Sequence, residues 1–274
     1  MNELISTPER LDTTQHDQIM AEHLHRYALA AGYVKDKTVL DIASGEGYGT
    51  HLLSAGAKMV YGVDVSELAV SHAARKYQKG NLLFKQGSAA SIPLEDHCVD
   101  IITSFETIEH HDLHDEMITE CRRVLKPGGL LIISSPEKKY YSDLANYRNP
   151  YHVKELYGHE FRALLLKYFG NVSFLNQKYV TASVIIPEQG TADIRQYHGT
   201  YEKLLSEDTF TPLYHIALAS DAALPAISSS FYMHDIPPDN KEARLAALYT
   251  GSTTWKIGRA VLGPFLLIKS LFKR

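Results

Sequence analysis

Three glycines at alternate positions, Gly45, Gly47 and Gly49, stand directly after a short apolar run in this 274-residue chain. The run Thr38–Ile42 has the composition of a buried strand, and a helical pattern starts at Tyr48, so the glycines fall in a strand-to-helix turn. Glycine is needed where φ is positive or where a ligand presses on the main chain, and the next helix offers free N–H groups. The feature predicts a βα unit with a nucleotide-type cofactor loop, and an ordinary tight turn is the alternative.

Acidic residues around the loop indicate which cofactor it binds. The glycine spacing is G-x-G-x-G, whereas dinucleotide sites that hold a pyrophosphate use G-x-G-x-x-G. Asp64 follows the apolar run 59–63, where a second strand should end and a carboxylate can accept hydrogen bonds from both ribose hydroxyls. Carboxylates at Asp41 and Glu46 would repel a pyrophosphate but would suit a ligand with an ammonium and a sulfonium group. The sequence thus predicts S-adenosylmethionine as the cofactor.

Apolar runs alternate with helical patterns through the first half of the chain. A helix is predicted over 17–33, ahead of the first strand, and the later connections are long enough to hold crossover helices. This alternation predicts an α/β, Rossmann-like doubly wound sheet that is mostly parallel and covered on both faces. The other predicted strands are 59–63, 82–85, 99–104 and 130–134, and the other predicted helices are one from Tyr48 and those at 67–79, 114–124 and 159–168.

The alternation weakens after residue 170. Strands are predicted at 172–175 and 212–220 with no clear helix between them, which indicates an antiparallel strand pair at the sheet edge. The segment 176–210 is too long for a plain loop, and we expect an insertion that covers the acceptor site. The chain is therefore divided into a domain at 1–220 and a C-terminal extension at 221–274.

The stretch 254–274 mixes cations with an apolar run that Pro264 interrupts. This composition is typical of a basic amphipathic helix that lies on a membrane surface or docks a partner protein, and a helix packed on the domain fits it equally well.

Charge and cysteine content exclude several classes of protein. The net charge of −4 at pH 7 lacks the basic excess of a duplex binder, so no nucleic-acid partner is expected. Cys98 and Cys121 cannot form a disulfide framework and match no zinc spacing, which fits a reducing compartment. The sequence shows neither a signal-peptide pattern nor a run of about 18 apolar residues. We expect a cytoplasmic protein, peripheral at the inner face of the membrane if the tail binds there.

Five short motifs follow one another along the chain: V-L-D-I-A-S-G-E-G-Y-G at 39–49, G-V-D at 62–64, I-P-L-E-D at 92–96, E-T-I-E-H at 106–110 and R-V-L-K-P-G-G at 123–129. Together they resemble class I S-adenosylmethionine-dependent methyltransferases, over about residues 27–220. A narrower resemblance, carried by 22–27, 104–111 and 149–157, is to methyltransferases of bacterial O-antigen biosynthesis, which act on sugars or sugar phosphates of a surface polysaccharide such as lipopolysaccharide. It implies a sugar-containing acceptor. For the tail, the expected partner is a glycosyltransferase or a membrane surface.

The resemblance also implies roles for individual residues. Main chain around Asp41, Ala43 and Gly45 would hold the methionyl end of the cofactor, Asp64 the ribose hydroxyls, and Val65 one side of the adenine. Many relatives place an acid after the glycine that corresponds to Gly87, whereas this chain has Ser88, so the contact with the adenine amino group must use a hydroxyl or the backbone. The other cofactor-binding residues that it implies are Gly47, Gly87, Ser88, Ala89, Phe105 and Glu106, with Arg26 and Tyr27 closing over the cofactor from the N-terminal helix.

Histidines near the predicted acceptor site are the candidate catalytic residues. A sugar hydroxyl needs a general base within about 3 Å of its proton, whereas a phosphate oxygen is already anionic and needs none. His110 is the first candidate and His111 the second, because both follow the carboxyl end of a predicted strand; His152, on a loop, is the third. Each could instead cap or pack against a helix. Acidic and histidine residues at 109–115 could bind a divalent ion, but adjacent helical residues point apart, so no metal is predicted.

Three other functions remain open from the sequence. One is a methyltransferase of the same fold with a small-molecule acceptor. Another is a catalytically silent protein that binds the cofactor and docks a glycosyltransferase. The last is a dinucleotide oxidoreductase, which the glycine spacing disfavours.

Overall fold

The computed structural model describes residues 11, 13, 18–179, 183–188, 196–199, 204–207 and 212–232, and the predicted tail at 254–274 lies outside them. The helices are α1 Gln18–Ala31, α2 Tyr48–Leu53, α3 Glu67–Lys76, α4 His114–Val124 and α5 Gly158–Tyr168, with short turns of 3-10 helix at Ile108–His110 and π-helix at Lys139–Asp143. The strands are β1 Thr38–Ile42, β2 Met59–Asp64, β3 Leu82–Gln86, β4 Val99–Ser104, β5 Leu125–Pro136, β6 Asn171–Tyr179, β7 Ser183–Pro187, β8 Gln196–Gly199, β9 Leu204–Glu207, β10 Tyr214–Ser220 and β11 Ser230–Tyr232.

Nine of these strands form one sheet in the order β11-β7-β6-β10-β5-β4-β1-β2-β3, and β8 pairs with β9 separately. Strands β1 to β5 are mutually parallel, as predicted. The chain runs from β1 outward to β3 on one side, then returns to β4 and continues to β5 on the other. In a doubly wound sheet, ligands bind in the crevice at the carboxyl ends of the strands where the order reverses, which places the site above β1 and β4.

The antiparallel part of the sheet is larger than the sequence indicated. Strand β10 pairs antiparallel with β6, which confirms the predicted strand pair, and it lies between β6 and β5. All seven residues of β10 are buried, as expected for a strand with a neighbour on both sides and layers on both faces. The predicted insertion 176–210 begins within a strand, because β6 continues to Tyr179 and pairs there with β7. Strand β11 pairs with β7 and extends the sheet once more.

Helices cover both faces of the sheet, and alternate strand residues point to the two cores. Leu40 and Ile102 pack with residues of α4 and α5, such as Met117 and Phe161. Their neighbours in the strands, including Val39, pack on the opposite side with residues of α1 and α2. Near-continuous burial of such strands is what a parallel sheet between two helical layers requires. Within the described residues, none of the helices has the length and apolarity that a membrane crossing needs.

Candidate active site

A cavity of about 560 Å³ opens at the carboxyl ends of the parallel strands. The segments after β1, β2 and β3 line one half of it, and the segments after β4 and β5 line the other half. We call these the cofactor half and the acceptor half. Of the predicted cofactor-binding residues, the ones that line the cavity are Tyr27, Ala43, Gly45, Asp64, Val65, Gly87, Ser88, Ala89, Phe105 and Glu106; of the predicted catalytic residues, His110, His111 and His152 all do.

The turn after β1 is held against β2. The Ser44 amide donates to the carbonyl oxygen of Val63 at 3.0 Å, and the Gly45 amide donates to Asp64 Oδ2 at 2.8 Å. Gly45 has a φ of 55°, and Ala43 has a φ of 56°, a conformation that costs a residue with a Cβ about 1–2 kcal/mol. A strained non-glycine residue in a cavity wall is typical of a ligand-binding turn.

Asp64 both shapes the turn and faces the cavity. Besides the bond from Gly45, its Oδ1 accepts from the Ser66 amide at 2.9 Å, and the residue is 8% exposed. An ionised carboxylate has about four lone-pair sites, so two remain for ligand hydroxyls after these two backbone bonds. The position at the end of β2 is therefore suited to the ribose contact that the resemblance implies.

The carboxylate of Asp41 does not line the cavity. It is fully buried beneath the turn, where it accepts from the hydroxyls of Thr50 at 2.7 Å, Thr103 at 2.8 Å and Tyr27 at 3.2 Å. Burial raises the pKa of Asp41 to about 6, although the three hydroxyl donors act in the opposite direction. The expectation that this side chain meets a cationic ligand is wrong, because its oxygens are already committed to internal donors.

Glu46 is also turned away from the cavity. It is 2% exposed, accepts from the Tyr77 hydroxyl at 2.7 Å and pairs with the Lys76 ammonium at the end of α3. Helix α3 ends at Lys76, where the predicted helix ran to Lys79, because Tyr77 leaves the helical conformation. The carboxylates that do line the cavity are those of Asp64, Glu106 and Glu109.

Two of the three glycines are required by packing within the protein. A Cβ at Gly47, whose φ is 93°, would lie 2.8 Å from the Ala73 Cβ and 3.1 Å from the Phe84 ring. A Cβ at Gly49 would lie 1.9 Å from a ring atom of Tyr27. Gly47 does not line the cavity, so its predicted role in cofactor binding is not supported. Instead, the absence of a side chain at Gly47 lets α3 and β3 pack on the turn.

Tyr27 of α1 faces the cavity, whereas its neighbour Arg26 does not. The Tyr27 ring lines the cavity and meets Phe105 edge-on, with ring centroids 5.1 Å apart. Arg26 is fully buried behind the wall, where its Nε donates to Gln177 Oε1 at 2.7 Å and its NH1 lies 3.5 Å from Glu106 Oε1. Its guanidinium also lies 4.3 Å from the centre of the Tyr214 ring. Arg26 therefore positions Glu106 and does not itself close over the cavity.

Ser88 has a local structural role in the segment after β3. Its Oγ accepts from the Ala90 amide at 3.2 Å, which closes a short turn after β3. The Gly87 amide donates to the Asp64 carbonyl oxygen at 3.0 Å, and a Cβ at Gly87 would meet Pro93 at 2.4 Å. The Ser88 hydroxyl thus already accepts one hydrogen bond. Its hydrogen and second lone pair are still available, at the position where many relatives carry an acid.

The acceptor half begins with two unusual glutamates after β4. Glu106 has a φ of 51°, and its Oε1 accepts from the Ser134 hydroxyl of β5 at 2.6 Å. Glu109, in the 3-10 turn, is 1% exposed and neither of its carboxylate oxygens has a hydrogen-bond partner among the described residues. Burial, and secondly the charge of Glu106, hold the pKa of Glu109 well above its usual range. No pattern in the sequence indicated that this glutamate would be buried.

The three candidate histidines differ in their hydrogen bonds. His110 Nδ1 lies 3.2 Å from the carbonyl oxygen of Tyr151, and His152 Nδ1 lies 2.5 Å from Glu155 Oε1. The rings of His110 and His152 are 5.2 Å apart and nearly perpendicular. Neither ring nitrogen of His111 has a hydrogen-bond partner in the described part of the chain, and burial lowers its pKa. The imidazole of His111 is therefore neutral near pH 7 and can accept a proton.

Other lining residues come from the π-helical turn, the loop that follows it and strand β10. Tyr141 stacks on the His152 ring with centroids 5.5 Å apart, and Asn149 and Tyr214 complete the wall. The N-P-Y-H motif at 149–152 was a signal for this loop, but nothing in the sequence indicated Tyr141 or the approach of β10.

Comparison with known proteins agrees with this geometry. Residues 40–133 match the family model described as a methyltransferase domain. A protein of Mycolicibacterium smegmatis named as a probable S-adenosylmethionine-dependent methyltransferase is 33% identical over 152 residues, which are 55% of this chain and 56% of that protein. A ubiquinone biosynthesis O-methyltransferase of Coxiella burnetii is 32% identical over 111 residues, 39% of this chain and 47% of that protein. The crystal structure of the YcgJ protein of Bacillus subtilis superimposes with a TM-score of 0.52 at 20% identity, covering 72% of this chain and 97% of that one.

Fold, cavity and family match point to one class of protein. Residues 40–133 resemble a methyltransferase domain, and the fold is similar to that of solved S-adenosylmethionine-dependent methyltransferases. The cofactor of such proteins is S-adenosylmethionine, and the lone pairs of Asp64 and the turn at Ala43 and Gly45, which lines the cavity, fit it. The chain spans about half the length of the curated relatives that it matches.

Proposed function

We propose that the chain is an S-adenosylmethionine-dependent O-methyltransferase whose acceptor is a sugar hydroxyl of a bacterial surface glycan of the O-antigen type, or a sugar phosphate of its precursor. The single observation that carries the proposal is the polarity of the acceptor half. It combines two glutamates, three histidines and an asparagine in one wall of the cavity. A hydroxyl-rich acceptor can hydrogen-bond to such a wall, whereas a purely apolar acceptor would leave these groups desolvated and without partners.

The cofactor half would hold S-adenosylmethionine through the main chain of Ala43 and Gly45, the carboxylate of Asp64 and the turn at Ser88. When bound there, the cofactor supplies a methyl group on a sulfonium, which leaves as a neutral thioether. The walls from both halves orient the two reactants in one enclosed space, and such positioning supplies much of the rate of a bimolecular displacement. Phe105 and Tyr27 pack edge-on in the cavity wall, with ring centroids 5.1 Å apart, and give this part of the wall an apolar surface.

A hydroxyl acceptor must lose a proton as the new oxygen–carbon bond forms. His111 is suited to take it, because neither of its ring nitrogens has a hydrogen-bond partner among the described residues and it lines the acceptor half. His110 and His152 are held through Nδ1 by Tyr151 and Glu155, so Nε2 is the atom by which either would act as the base instead. We propose His111, the second-ranked histidine of the sequence-based prediction, as the base.

A small phenolic or lipid acceptor is the second candidate function. The relative named as a ubiquinone biosynthesis O-methyltransferase favours it, and so does the loop after β5. Leu144, Tyr147, Tyr151 and Val153 of that loop are exposed, with exposed fractions of 68%, 51%, 45% and 62%. Apolar side chains close to a cavity wall could seat the ring or chain of such an acceptor.

Acceptor profiling with methyl-labelled S-adenosylmethionine tests these functions. The full chain is incubated with lipid-linked glycan and nucleotide-sugar preparations in one series, and with catechols and fatty acids in another. We expect label in a glycan product, with little in the second series. Transfer only to phenols or fatty acids would replace the proposal by the second candidate. Binding of S-adenosylhomocysteine without transfer to any acceptor would favour a silent cofactor-binding protein, and lack of binding would overturn both enzyme functions.

A further inference from the structure

A cluster at the floor of the acceptor half has the composition of a metal site. Glu109, His110 and His152 each present one ligand atom, and the three atoms lie within 4.8 Å of one another. Ligands of one zinc-type ion lie about 2.0–2.2 Å from it, so pairs of ligand atoms are about 3–4 Å apart. The three side chains would need to move together by only about an ångström to share an ion.

Glu109 is the member whose side chain has no hydrogen-bond partner among the described residues. Its carboxylate is buried, and neither oxygen is hydrogen-bonded there. A buried carboxylate without a partner is strongly unfavourable unless it is protonated, paired or bound to a metal. The nearby Arg26 lies 3.5 Å from Glu106 and so compensates that carboxylate first.

The two histidines have the outer hydrogen bonds that metal ligands use. In most metal sites a ligating imidazole donates its other ring N–H to a carboxylate or to a backbone carbonyl. His152 Nδ1 meets the Glu155 carboxylate at 2.5 Å, and His110 Nδ1 meets the Tyr151 carbonyl oxygen at 3.2 Å. Both bonds use Nδ1, so the Nε2 atoms are assigned as the ligands.

Main-chain hydrogen bonds hold the loop of His152 on the turn of Glu109. The amides of Val153 and Lys154 both donate to the Glu109 carbonyl oxygen, at 2.8 and 3.1 Å. The residue after His152 is therefore fixed to the residue that carries the carboxylate, and the three side chains converge although 42 positions separate His110 from His152 in the sequence. Such preorganisation lowers the cost of binding an ion.

We propose that Glu109, His110 and His152 bind a divalent first-row transition-metal ion in the acceptor half of the cavity. Two imidazoles and one carboxylate suit zinc, cobalt, iron or manganese better than calcium or magnesium, which prefer oxygen ligands. Three protein ligands leave coordination positions open to the acceptor oxygens, as in catalytic sites. One role of the ion rests on the proposed function: that it binds the acceptor hydroxyl and eases transfer of the hydroxyl proton to His111. Binding of the ion itself does not rest on that function.

Cobalt(II) titration of the full chain tests the site, because its visible absorption reports ligation by nitrogen and oxygen. The chain is first treated with chelator, then titrated with cobalt alone, and zinc is added to compete. We expect one equivalent to bind, and each of Glu109→Gln and His152→Ala to weaken binding at least tenfold. Glu155→Gln, which alters only the outer hydrogen bond, should weaken it by about 10- to 100-fold.

His97→Ala is the matched control. Its Nδ1 also bonds a backbone carbonyl oxygen, that of Leu125 at 2.8 Å, but it lies outside the cavity lining. This variant should bind cobalt as the unaltered chain does. Absence of a saturable cobalt spectrum in the unaltered chain, or unchanged affinity in His152→Ala, would overturn the metal site.

Calorimetry with S-adenosylhomocysteine on the same samples separates this proposal from the proposed function. It also shows that each variant is folded, since the cofactor half contains none of the three ligands. If the chain binds S-adenosylhomocysteine and methylates its acceptor without binding cobalt, only the metal site is wrong. If it binds cobalt but not S-adenosylhomocysteine, the metal site stands and the proposed function falls.

Discussion

Replacement of Asp64 by alanine should separate cofactor binding from folding. The carboxylate accepts hydrogen bonds from backbone amides at 2.8 and 2.9 Å, lines the cavity and has two further lone-pair sites. A hydrogen bond to a charged acceptor contributes about 1.5–3 kcal/mol, so the loss of two ribose contacts should cost about 3–6 kcal/mol. At 1.4 kcal/mol per tenfold change, Asp64→Ala should bind S-adenosylhomocysteine about 10²- to 10⁴-fold more weakly.

Asp64→Ala also leaves two backbone amides without acceptors, and its control must carry a comparable defect elsewhere. Asp100 provides it, because it accepts the Thr38 amide at 2.8 Å and pairs with Lys126 at 2.9 Å, at the opposite end of β1. Asp100→Ala should lower the urea midpoint by a comparable amount and leave cofactor affinity unchanged. Calorimetric titration on folded samples of both variants decides the matter. If Asp64→Ala binds within threefold of the unaltered chain, Asp64 does not contact the cofactor.

Three further predictions concern the framework around the site. Gly49→Ala would force the Tyr27 ring to move, since the new Cβ would lie 1.9 Å from it, and should cost about 1–3 kcal/mol in the free energy of unfolding together with a loss of cofactor affinity. Burial raises the pKa of Asp41 from 3.8 to about 6, so between these pH values the folded state holds a proton that the unfolded state has lost. The stability associated with this proton, about 3 kcal/mol, is present below pH 4 and is lost as the pH rises through 6. Asp41→Asn should abolish this pH dependence of the free energy of unfolding, measured in urea. Arg26→Met should cost about 3–5 kcal/mol because it leaves the Glu106 carboxylate without its cation, and the double variant Arg26→Met, Glu106→Gln should recover part of that loss.

Elements whose pattern depends on their own residues were predictable from the sequence. The bounds of β1, β4 and α4 agree with the predictions, because the two strands are short, almost continuously buried runs and the helix has buried residues at helical spacing. Strands β7 and β11 were not predicted, since each has few residues. Strand β11 also pairs with β7, which lies far from it in the chain. The ends of a strand were also harder to predict than its existence. The strand predicted at 172–175, for example, is β6, which extends to Tyr179.

The site was predictable in position but not in the direction of its side chains. Placement of Asp64 at the carboxyl end of β2 follows from strand topology, and the structure places it in the cavity wall. Asp41 was expected to face a ligand, but three hydroxyls from separate elements converge on it instead. The approach of His152 to Glu109 likewise depends on a loop whose course is fixed by main-chain bonds between distant residues. Sequence spacing carries no information about such bonds.

Arg26 shows why the N-terminal helix and the antiparallel strands belong to the site although neither supplies its chemistry. A fully buried guanidinium needs compensation of its charge, and here the partners come from β6 through Gln177, from β10 through the Tyr214 ring and from the turn after β4 through Glu106. Among the described residues its Nε donates a hydrogen bond, whereas NH1 and NH2 have no hydrogen-bond partner. Glu106 in turn has a strained backbone that needs such external support. The position of a cavity-wall carboxylate therefore depends on three elements packed behind it. It follows that a change in β6 or α1 that keeps the fold but displaces Arg26 would alter acceptor binding before cofactor binding, because the turn and Asp64 that form the cofactor half do not depend on this contact.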